Sequence, residues 1–462
     1  MTTTPVMAAT LPKRTVPPYP GYKSSGIQWV GDIPQHWKVQ RIKHTTYVKG
    51  RIGWQNLRFD EFTEEGPYLV TGTDFANGKV NWDTCYHISR SRYDEDPYIQ
   101  LKENDLLITK DGSIGKVAVV QGLPGPASLN SGIFLTRVKR GAYETRFMYW
   151  LLNSSVFTSF IDILKSGTTI DHLYQHVFVE FAYPVPTPDE QCAIATFLDR
   201  ETTKIVGLIS KRKELIVLLE EKRAALISRA VTKGPDPTVP MKDSGIEWLG
   251  EIPVHWAVKK LKHLAHSLQT GPFGTQLHAG EYIEDGIPVI NPANLDEGTI
   301  APDFKCTVDQ TTFDRLLHHR LNEGDIVFAR RGEMGRCALV TEKEDGWLCG
   351  TGCVRVRLDT KRSYPPFVSR LLAIKGAKDW FKLESVGSTM ENLNTEIIGR
   401  IPLAVPDVNE QRHIADVAAT LCCKIEAIKT KNREAIEALQ EYRTALISAA
   451  VTGKIDVRGE VQ

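Results

Sequence analysis

Two long stretches of the chain carry apolar residues at heptad spacing, and this pattern predicts two long helices. The first stretch has a positions at Ile205, Arg212, Leu219 and Leu226 and d positions at Leu208, Leu215, Lys222 and Arg229. The second has a positions at Ile425, Asn432, Leu439 and Leu446 and d positions at Ile428, Ala435, Tyr442 and Ala449. At 1.5 Å per residue, about 40 residues span roughly 60 Å, and a helix of that length needs a partner along its apolar side.

Polar residues interrupt the two heptad patterns at equivalent places. Arg212 and Asn432 occupy a positions near the middle of each predicted helix. In an antiparallel pair they would meet at the centre and set the register, as polar a residues do in other coiled coils. We therefore predict an antiparallel two-helix coiled coil with a pseudo-two-fold axis. The alternative is that Arg212 extends along its helix to solvent.

The remainder of each half mixes short apolar runs with glycine turns. Residues 105–109 and 117–120 are strand-like, whereas residues 149–152 fit a helix. The predicted fold class is α+β, with a strongly bent sheet in each half. The whole chain is predicted to hold two similar globular domains separated by the coiled coil.

An internal repeat runs through the chain. The segment from Gly26 to Trp37 returns from Gly245 to Trp256 with its Gly, Ile, Trp, Pro and His positions kept. Further matches are Asn104–Leu107 with Gly324–Val327, Lys110–Gly115 with Arg330–Gly335, Gly167–Ile170 with Gly387–Met390, and Ala225–Thr232 with Ala445–Thr452. Pro186, Glu190 and Gln191 likewise match Pro406, Glu410 and Gln411. A repeat of this length indicates a duplicated domain rather than a solenoid.

The repeat and the heptads together predict the domain boundaries. The predicted parts are a flexible tail 1–21, a first globular domain 22–188, a first spacer helix 189–232, a linker 233–241, a second globular domain 242–408, a second spacer helix 409–452 and a C-terminal tail 453–462. The C-terminal tail occupies the place that the linker has in the first half, so a cyclic arrangement of the two halves is expected.

Composition narrows the class of protein without identifying it. Among 462 residues, 42% are hydrophobic and 24% are charged, which is ordinary for a globular protein. No apolar run is long enough for a membrane span, and the N-terminus lacks an apolar signal core, so we expect a cytoplasmic protein without membrane contact. The eight cysteines sit at non-equivalent places in the two halves, which favours reduced thiols over a disulfide or zinc framework.

Catalytic motifs are missing from the sequence. There is no Gly-x-x-x-x-Gly-Lys-(Ser/Thr) loop for ATP and no (Asn/Asp/Ser)-Pro-Pro-(Tyr/Phe) run for an amino-methyltransferase. The recurring Asp105 and Asp325 fit turn residues before a strand better than catalytic acids. His172 and His176 could share a helix face as metal ligands, but their equivalents are Asn392 and Glu396, so we predict no metal site and no catalytic residue.

The doubled Gly-Ile-x-Trp segment, the doubled Asp-led strand with its Gly-x-x-Gly turn, and the doubled Pro-x-x-x-Glu-Gln start of a long helix resemble the specificity subunit of type I DNA restriction-modification enzymes. The resemblance covers residues 22 to about 455. It implies that each globular half reads one part of a split, asymmetric site in double-stranded DNA. It also implies two methyltransferase subunits and restriction-translocase subunits as partners. S-adenosylmethionine, ATP and magnesium would belong to those partners, with no cofactor in this chain.

Comparison of the two duplicated halves distinguishes residues that they share, which are expected to form the scaffold, from residues that differ and could contact different bases. Base edges are read by Arg, Lys, Asn and Gln, and features that differ between the halves are expected to read different bases. The DNA-contact candidates are Lys49, Arg51, Trp54, Gln55, Asn56, Arg58 and Lys110 in the first half, and Thr270, Gln276, His278, Arg330 and Arg331 in the second. Thr168, Thr169, Ser388 and Thr389 are interpreted as turn or cap residues first and as DNA contacts second.

Features that repeat are expected to be framework. Trp29, Trp37, Trp248 and Trp256 are predicted to hold the repeated segment on each core. The predicted partner-docking residues at the starts of the long helices are Glu190, Gln191, Glu410 and Gln411, although Glu190 and Glu410 also fit helix N-terminal carboxylates.

Two other functions remain open at the level of sequence. One is a divergent methyltransferase or nuclease, which would bind S-adenosylmethionine or cut DNA by itself. The other is a coiled-coil adaptor that reads no DNA.

Overall fold

The computed structural model describes residues 16–51, 57, 61–165, 172–273, 276–296, 298–385 and 393–460. The chain divides into two compact units. Unit 1 comprises Met1–Arg212 with Glu434–Gln462, and unit 2 comprises Lys213–Arg433. Each unit therefore holds one α+β domain, one part of the first long helix and one part of the second.

The α-helices are given in chain order for the described residues. They are α1 Ile42–Thr45, α2 Arg90–Asp94, α3 Thr145–Leu152, α4 Ser155–Lys165, α5 Gln175–Phe178, α6 Pro188–Lys233, α7 Gln310–Arg315, α8 Pro365–Ala373, α9 Lys375–Ser385, α10 Thr395–Arg400 and α11 Val408–Val451. The predicted long helices are thus confirmed as α6 and α11, with ends within about two residues of those expected.

The strands of unit 1 form a main sheet and smaller ones. They are β1 Tyr22–Ser24, β2 Asp32–Pro34, β3 Lys38–Arg41, β4 Thr46–Gly50, β5 Phe62–Val70, β6 Phe75–Ala76, β7 Lys79–Val80, β8 Tyr86–Ile88, β9 Leu106–Thr109, β10 Val117–Val119, β11 Ala127–Leu129, β12 Ile133–Val138 and β13 Ala182–Val185. The main sheet has the order β4-β12-β9-β10-β7-β6, beside sheets β11-β5-β8, β13-β3 and β1-β2.

Unit 2 has the same succession of strands and a similar topology. Its strands are β14 Met241–Asp243, β15 Glu251–Pro253, β16 Ala257–Lys260, β17 Ala265–Thr270, β18 Ile287–Ile290, β19 Leu295–Asp296, β20 Thr299–Ile300, β21 Thr307–Val308, β22 Ile326–Ala329, β23 Cys337–Leu339, β24 Leu348–Cys349, β25 Cys353–Leu358 and β26 Pro402–Val405. The orders are β17-β25-β22-β23, β21-β18-β24, β19-β20, β16-β26 and β14-β15. The hairpin β19-β20 is separate from the main sheet, whereas the corresponding β6-β7 joins the main sheet of unit 1. The internal repeat is therefore a repeat of fold.

The core of each unit lies between its main sheet and the paired helices that follow the sheet. In unit 1, Phe134 of β12 stacks on Phe178, and Phe157 of α4 meets the same ring edge-on. The predicted role of the repeated tryptophans is confirmed, since Trp37 and Trp256 are almost fully buried in the two cores. Trp29 packs against Phe160 and donates from Nε1 to the Ala182 carbonyl at 3.0 Å.

The two long helices run antiparallel where unit 2 contains them both. Lys429 of α11 bonds Glu220 of α6, whereas Arg223, further along α6, lies beside Cys422, which is earlier in α11. In unit 1, Ile205 of α6 shares a cluster with Leu439 and Leu446 of α11. The predicted antiparallel pairing is confirmed.

The predicted heptad frame needs a correction. The a positions are buried or half-buried, but the d positions Leu208, Leu215, Ile428 and Tyr442 are all more than 40% exposed. The inward partners of the a positions are instead four residues further on, among them Ile209, Ile216, Lys429 and Ile436. The 3-4 spacing of the seam is as expected, but its frame is shifted because the sequence offered two adjacent apolar stripes.

Two predicted tails are parts of unit 1. Tyr19 is 3% exposed and Val457 is fully buried, and both belong to the core cluster. The Asp456 N–H donates to the Pro17 carbonyl at 2.7 Å, and the Tyr22 hydroxyl donates to the Gly453 carbonyl at 3.0 Å. The prediction of a flexible tail is therefore wrong for residues 16–21, because Tyr19 finds an apolar site that composition alone does not reveal. Residues 1–15 lie outside the described part.

Within the described residues, no single helix is long and apolar enough to cross a membrane. A bent pair, Thr145–Leu152 with Ser155–Leu164, passes by length and composition only. The apolar side chains of this pair, such as Phe147 and Phe157, fill the core of unit 1.

Candidate nucleic-acid interface

The start of each long helix is bonded to the repeated tryptophan segment. In unit 1, Glu190 accepts hydrogen bonds from His36 Nε2 at 2.9 Å, from the Thr187 N–H at 3.0 Å and from the Thr187 hydroxyl at 2.8 Å. In unit 2, Glu410 accepts from His255 Nε2 at 2.9 Å and from Trp256 Nε1 at 3.0 Å. Burial alone would raise the pKa of Glu190, but these donors lower it below its ordinary value.

The neighbouring glutamine joins the helix to the domain in both units. Gln191 Oε1 accepts from the Glu144 N–H at 2.7 Å, and its Nε2 donates to the Pro186 carbonyl at 3.0 Å. Gln411 makes the same pair of bonds with the Tyr364 N–H at 2.8 Å and the Pro406 carbonyl at 3.0 Å. The hydrogen bonds of the repeated Glu-Gln pair thus connect the start of each long helix to its domain and orient the helix.

This placement corrects the docking prediction. Glu190, Gln191 and Gln411 are at most 4% exposed, and Glu410 is half-buried, so the four side chains present little surface to a partner. Their alternative interpretation holds for Glu190, which lies in the first turn of α6 and bonds the Thr187 N–H before it.

Duplicated ion pairs hold the strand that leads to the candidate site. Asp105, just before β9, bonds Arg137 of β12 through both oxygens at 2.6 Å. Asp325, before β22, bonds Arg357 of β25 at 2.8 and 2.6 Å. Burial raises the pKa of Asp105, while the pKa of Arg137 is raised mainly by its bond to that carboxylate. The geometry favours the ionised pair, because a two-point contact in a buried setting stabilises both charges.

Strand register gathers the candidate residues at one end of each main sheet. In unit 1, Ile133 pairs with Thr109 and Phe134 pairs with Gly50, so the ends of β9 and β4 meet at the start of β12. In unit 2, Ala329 pairs with Cys353 and Thr270 pairs with Val354 in the same way. The residues that follow these strands therefore leave the sheet side by side.

Lys110 and Arg330 begin the turns at this end. Lys110 Nζ lies 5.3 Å from the Phe134 ring centroid, and burial lowers its pKa. Arg330 lies 4.9 Å from the Phe273 ring and donates from Nε to the Leu393 carbonyl at 3.3 Å; burial, and then Arg331, lower its pKa. Arg331 itself is exposed. The turns continue through Gly112 and Gly332 at φ of +64° and +84°, which a residue with a Cβ adopts only with strain.

The other first-half candidates for DNA contact have different environments in the structure. Lys49 is half-buried at the end of β4, 5.6 Å over the ring of Tyr98. Arg51 is 3% exposed and donates to the Leu129 carbonyl at 3.1 Å and to Ser128 Oγ at 3.3 Å, so its guanidinium holds neighbouring strands together here. Trp54, Gln55, Asn56 and Arg58 lie outside the described residues, as do Thr168, Thr169, Ser388 and Thr389.

The other second-half candidates surround one loop. Thr270 ends β17, and the side chain of Gln276 accepts from the Phe273 N–H at 3.0 Å. His278 is exposed and caps a 3-10 turn whose Glu281 accepts its N–H at 2.7 Å. Contact of Arg330 with Phe273 brings this loop beside the turn after β22. Phe273 thus contacts both Gln276 and Arg330, whereas DNA contact by the second-half set stays a prediction.

Two exposed aromatic residues at this end were not predicted. Tyr98 is 64% exposed under Lys49, and Phe273 is 49% exposed under Arg330. An exposed ring can stack on a base, and the cation beside it can approach a phosphate. A single aromatic residue in a loop carries no periodic signal, so neither ring could be selected from the sequence alone.

His172 and Asp111 form another polar contact in unit 1, beside the turn that begins at Lys110. His176 packs near Tyr174 rather than with His172. Across the described residues, no group of three His, Cys, Asp or Glu side chains is arranged for a metal ion.

Two units of similar topology each carry cationic side chains at one end of the main sheet, Lys49 and Lys110 in unit 1 and Arg330 and Arg331 in unit 2, an arrangement that fits a duplicated binding protein. The family described as the type I restriction modification DNA specificity domain matches twice, at residues 34–217 and 253–438. The chain belongs to this family.

Relatives and solved structures agree with the family assignment. The MjaVIII specificity subunit of Methanocaldococcus jannaschii is 24% identical, over 92% of this chain and 94% of its own length. The EcoKI specificity subunit of Escherichia coli K12 is 20% identical, over 92% and 90%. The HsdS subunit from Thermoanaerobacter tengcongensis has a similar fold, with a TM-score of 0.56 at 15% identity, over 92% of this chain and 98% of that one.

Proposed function

We propose that this chain is the non-catalytic specificity subunit of a type I restriction-modification system and that each unit reads one part of a bipartite, asymmetric DNA site. The observation that carries the proposal is a similar topology used twice, with different side chains at the same end of each main sheet. Two units with the same fold but different side chains at the proposed DNA-contacting end suit a site whose two parts differ in sequence.

The chemistry of the site supports DNA as the ligand. Lys49 and Lys110 in unit 1 and Arg330 and Arg331 in unit 2 supply the cations that phosphates require. Gln276 and His278 add side chains that can bond base edges in a groove. The net charge of +1 means that such contacts are local, so partner subunits would supply further phosphate affinity.

Exposed apolar residues on the long helices support partner docking there. Leu215, Val217 and Leu218 on α6 are 42–57% exposed. Leu215 and Leu218, three residues apart, share one face of α6, and adjoining exposed apolar side chains favour an interaction surface. Two methyltransferase subunits and restriction-translocase subunits are the proposed partners, in the cytoplasm, and they would carry S-adenosylmethionine, ATP and magnesium.

A domain exchange tests the proposal. Residues 242–408 would be replaced by the corresponding domain of another specificity subunit, and methylated adenines mapped in DNA from a host that also expresses the methyltransferase. We expect one part of the methylated site to change and the other to stay. The reciprocal exchange of residues 22–188 is the matched control and should change the opposite part.

A change in both parts would contradict independent reading by the two units. Binding of S-adenosylmethionine by the isolated chain would favour the enzyme alternative. Loss of all sequence-dependent DNA retention in the assembled complex would favour the adaptor.

A further inference from the structure

Unit 2 contains a cavity that the family assignment does not explain. It has a volume of about 910 Å³ and lies between the C-terminal part of α6, helix α8 and strand β23. Ile227, Leu339 and Ile374 contribute apolar wall, and Ser369 lies on the α8 side. Its size falls in the range of small-molecule sites, roughly 300–1,000 Å³.

A difference in one side chain accounts for much of this space. Ser369 of α8 stands where α3 of unit 1 has Tyr149. The Tyr149 hydroxyl lies so close to Gly78 that a Cβ added there would overlap it, whereas a Cβ added at the equivalent Gly298 would meet nothing within 4 Å. In unit 1 the tyrosine, stacked 4.3 Å from Arg146, fills the corresponding region. The serine leaves it open in unit 2.

The cavity is lined with cations in excess. Its basic side chains are Arg223, Arg336, Arg370, Lys375 and Lys378. Two of its three carboxylates are engaged by cations of the unit: Glu333 lies 3.5 Å from Lys378, and Glu220 bonds Arg223 and Lys429. The remaining carboxylate, Asp296, is exposed at the end of strand β19. The lining therefore favours a ligand with more than one negative charge.

Two of the arginines also have unused donors. The Nε atoms of Arg223 and Arg336 are buried and have no hydrogen-bond acceptor among the described residues. A buried N–H without an acceptor is unfavourable, and guanidinium groups pair well with phosphate oxygens. We propose that this cavity binds a small phosphate-bearing anion, either inorganic or a nucleotide.

The side chains that differ between the described parts of the two units separate this site from the docking of identical partners. Two copies of one methyltransferase subunit would need equivalent surfaces on the two units. At the positions of Ser369 and Arg370, unit 1 has Tyr149 and Trp150, whose Nε1 donates to Asp199 at 2.9 Å. A ligand specific to unit 2 fits this difference, at a cavity whose Glu333 and Arg336 belong to the turn that begins at Arg330.

Isothermal titration calorimetry of the full chain with pyrophosphate, ATP and adenosine tests the proposal. We expect saturable binding of pyrophosphate, ATP or both, and none of adenosine. Equal affinity for the two anions would identify an inorganic ligand, and at least about tenfold tighter binding of ATP would identify a nucleotide. Failure of both anions to bind would overturn the proposal, whatever the outcome of the domain exchange.

Variants assign the binding to the cavity. Ser369→Tyr should weaken anion binding at least about tenfold by filling the space, whereas the matched Ser369→Ala should keep it. Arg336→Gln, which removes a cation of the lining without adding volume, should weaken it similarly and keeps the assignment testable if Ser369→Tyr fails to fold. Lys242→Gln, on exposed strand β14, serves as the charge control. Binding that is unchanged in Ser369→Tyr and Arg336→Gln would overturn the assignment.

Discussion

At the residue scale, the repeated glutamine near the start of each long helix is a buried polar side chain whose hydrogen bonds connect the helix to its domain. Glu190, Gln191 and Gln411 were predicted to form a surface for identical partners because they repeat. Buried side chains that hold a helix on its domain also repeat, because both halves need the same internal hydrogen bonds. Exposure of a polar side chain depends on tertiary packing, which local sequence does not encode. By contrast, the repeated Trp37 and Trp256 were predicted correctly, because a large apolar ring at a kept position has few uses outside a core.

Gln411→Ala should destabilise unit 2. The substitution removes the acceptor for the Tyr364 N–H and the donor to the Pro406 carbonyl in a fully buried setting. Unpaired buried groups cost about 1–3 kcal/mol each, so we expect a loss of that order in the free energy of unfolding by urea. Gln440→Ala, exposed on the same helix, is the control and should change it by less than about 0.5 kcal/mol. Equal effects would show that the hydrogen bonds of Gln411 do not stabilise unit 2.

Gly78→Ala and Gly298→Ala should differ in their effects. Both glycines adopt positive φ, +76° and +85°, so alanine carries a backbone penalty of about 1–2 kcal/mol at either position. Only at Gly78 does the new methyl group overlap Tyr149, which adds about 1–3 kcal/mol of overpacking. Calorimetric unfolding of the two variants measures the difference, and equal losses would contradict the filled space described for unit 1.

At the element scale, local periodicity predicted the long helices almost to their ends, because heptad spacing is a property of neighbouring residues. It chose the wrong frame, since Leu208 and Leu215 form a second apolar stripe that only the three-dimensional packing reveals as exposed. The partition into α+β domains was likewise predictable, but not the sheet order β4-β12-β9-β10, in which a distant β4 adds to the edge of the sheet. The DNA candidates after β17 and β22 converge for that reason.

The register of Arg212 and Asn432 remains a prediction. Asn432 is 6% exposed and donates from Nδ2 to the Ile428 carbonyl at 2.9 Å, while Arg212 is half-buried. Arg212 belongs to unit 1 and Asn432 to unit 2.

Glu220→Gln should change how the stability of unit 2 depends on pH. Hydrogen bonds from Lys429 and Arg223 lower the pKa of Glu220 below 4.5, so its stabilising contribution is present above pH 4.5 and is lost as pH falls through the folded-state value. The variant should be less stable by at most about 1 kcal/mol at pH 7 and should converge with the parent at lower pH. Lys429, whose pKa is raised by the same contact, stays charged throughout this range.

Urea unfolding between pH 3 and 7 measures this dependence. Glu221→Gln, at the neighbouring exposed position of α6, is the matched control and should leave the profile of the parent unchanged. A constant difference between Glu220→Gln and the parent at every pH would contradict an ionic role for this carboxylate.

At the scale of the whole molecule, the doubled sequence predicted two equivalent domains, and the topology of the two units agrees. The two compact units do not coincide with the predicted domains. Each unit also contains the C-terminal end of the long helix that, in sequence, belongs to the other half. Val231 of α6 is buried in the core of unit 2, and Val451 of α11 in the core of unit 1. No local signal specifies which domain the end of a long helix will contact.

In unit 1, residues 453–460 contact residues 16–22 near the N-terminus. In unit 2, Gly234 of the linker likewise lies against Trp256 of the segment that follows the linker. Arg458 lies 5.0 Å from the Tyr19 ring, and Arg200 donates to the Glu460 carbonyl at 2.8 Å. Gly453 and Gly234 both end their helices at positive φ, +72° and +74°, and both lie against a repeated tryptophan, Trp37 or Trp256. The expected cyclic arrangement therefore has a physical basis in the contacts of residues 453–460 with residues 16–22.

A circularly permuted chain tests this arrangement. Residue 460 would be joined to residue 16 by a short Gly-Ser linker, and the chain opened between Thr238 and Val239, where the linker is mostly exposed. Since the joined segments already contact each other, closure adds only a short loop, and we expect a melting temperature within about 5 °C of the parent, with the same methylated site. Opening between Val327 and Phe328 instead divides β22 at the centre of its sheet and should abolish folding. A permutant opened at Thr238 that fails to fold would show that the covalent linker 233–241, rather than packing alone, is needed to seat unit 2 on its tryptophan segment.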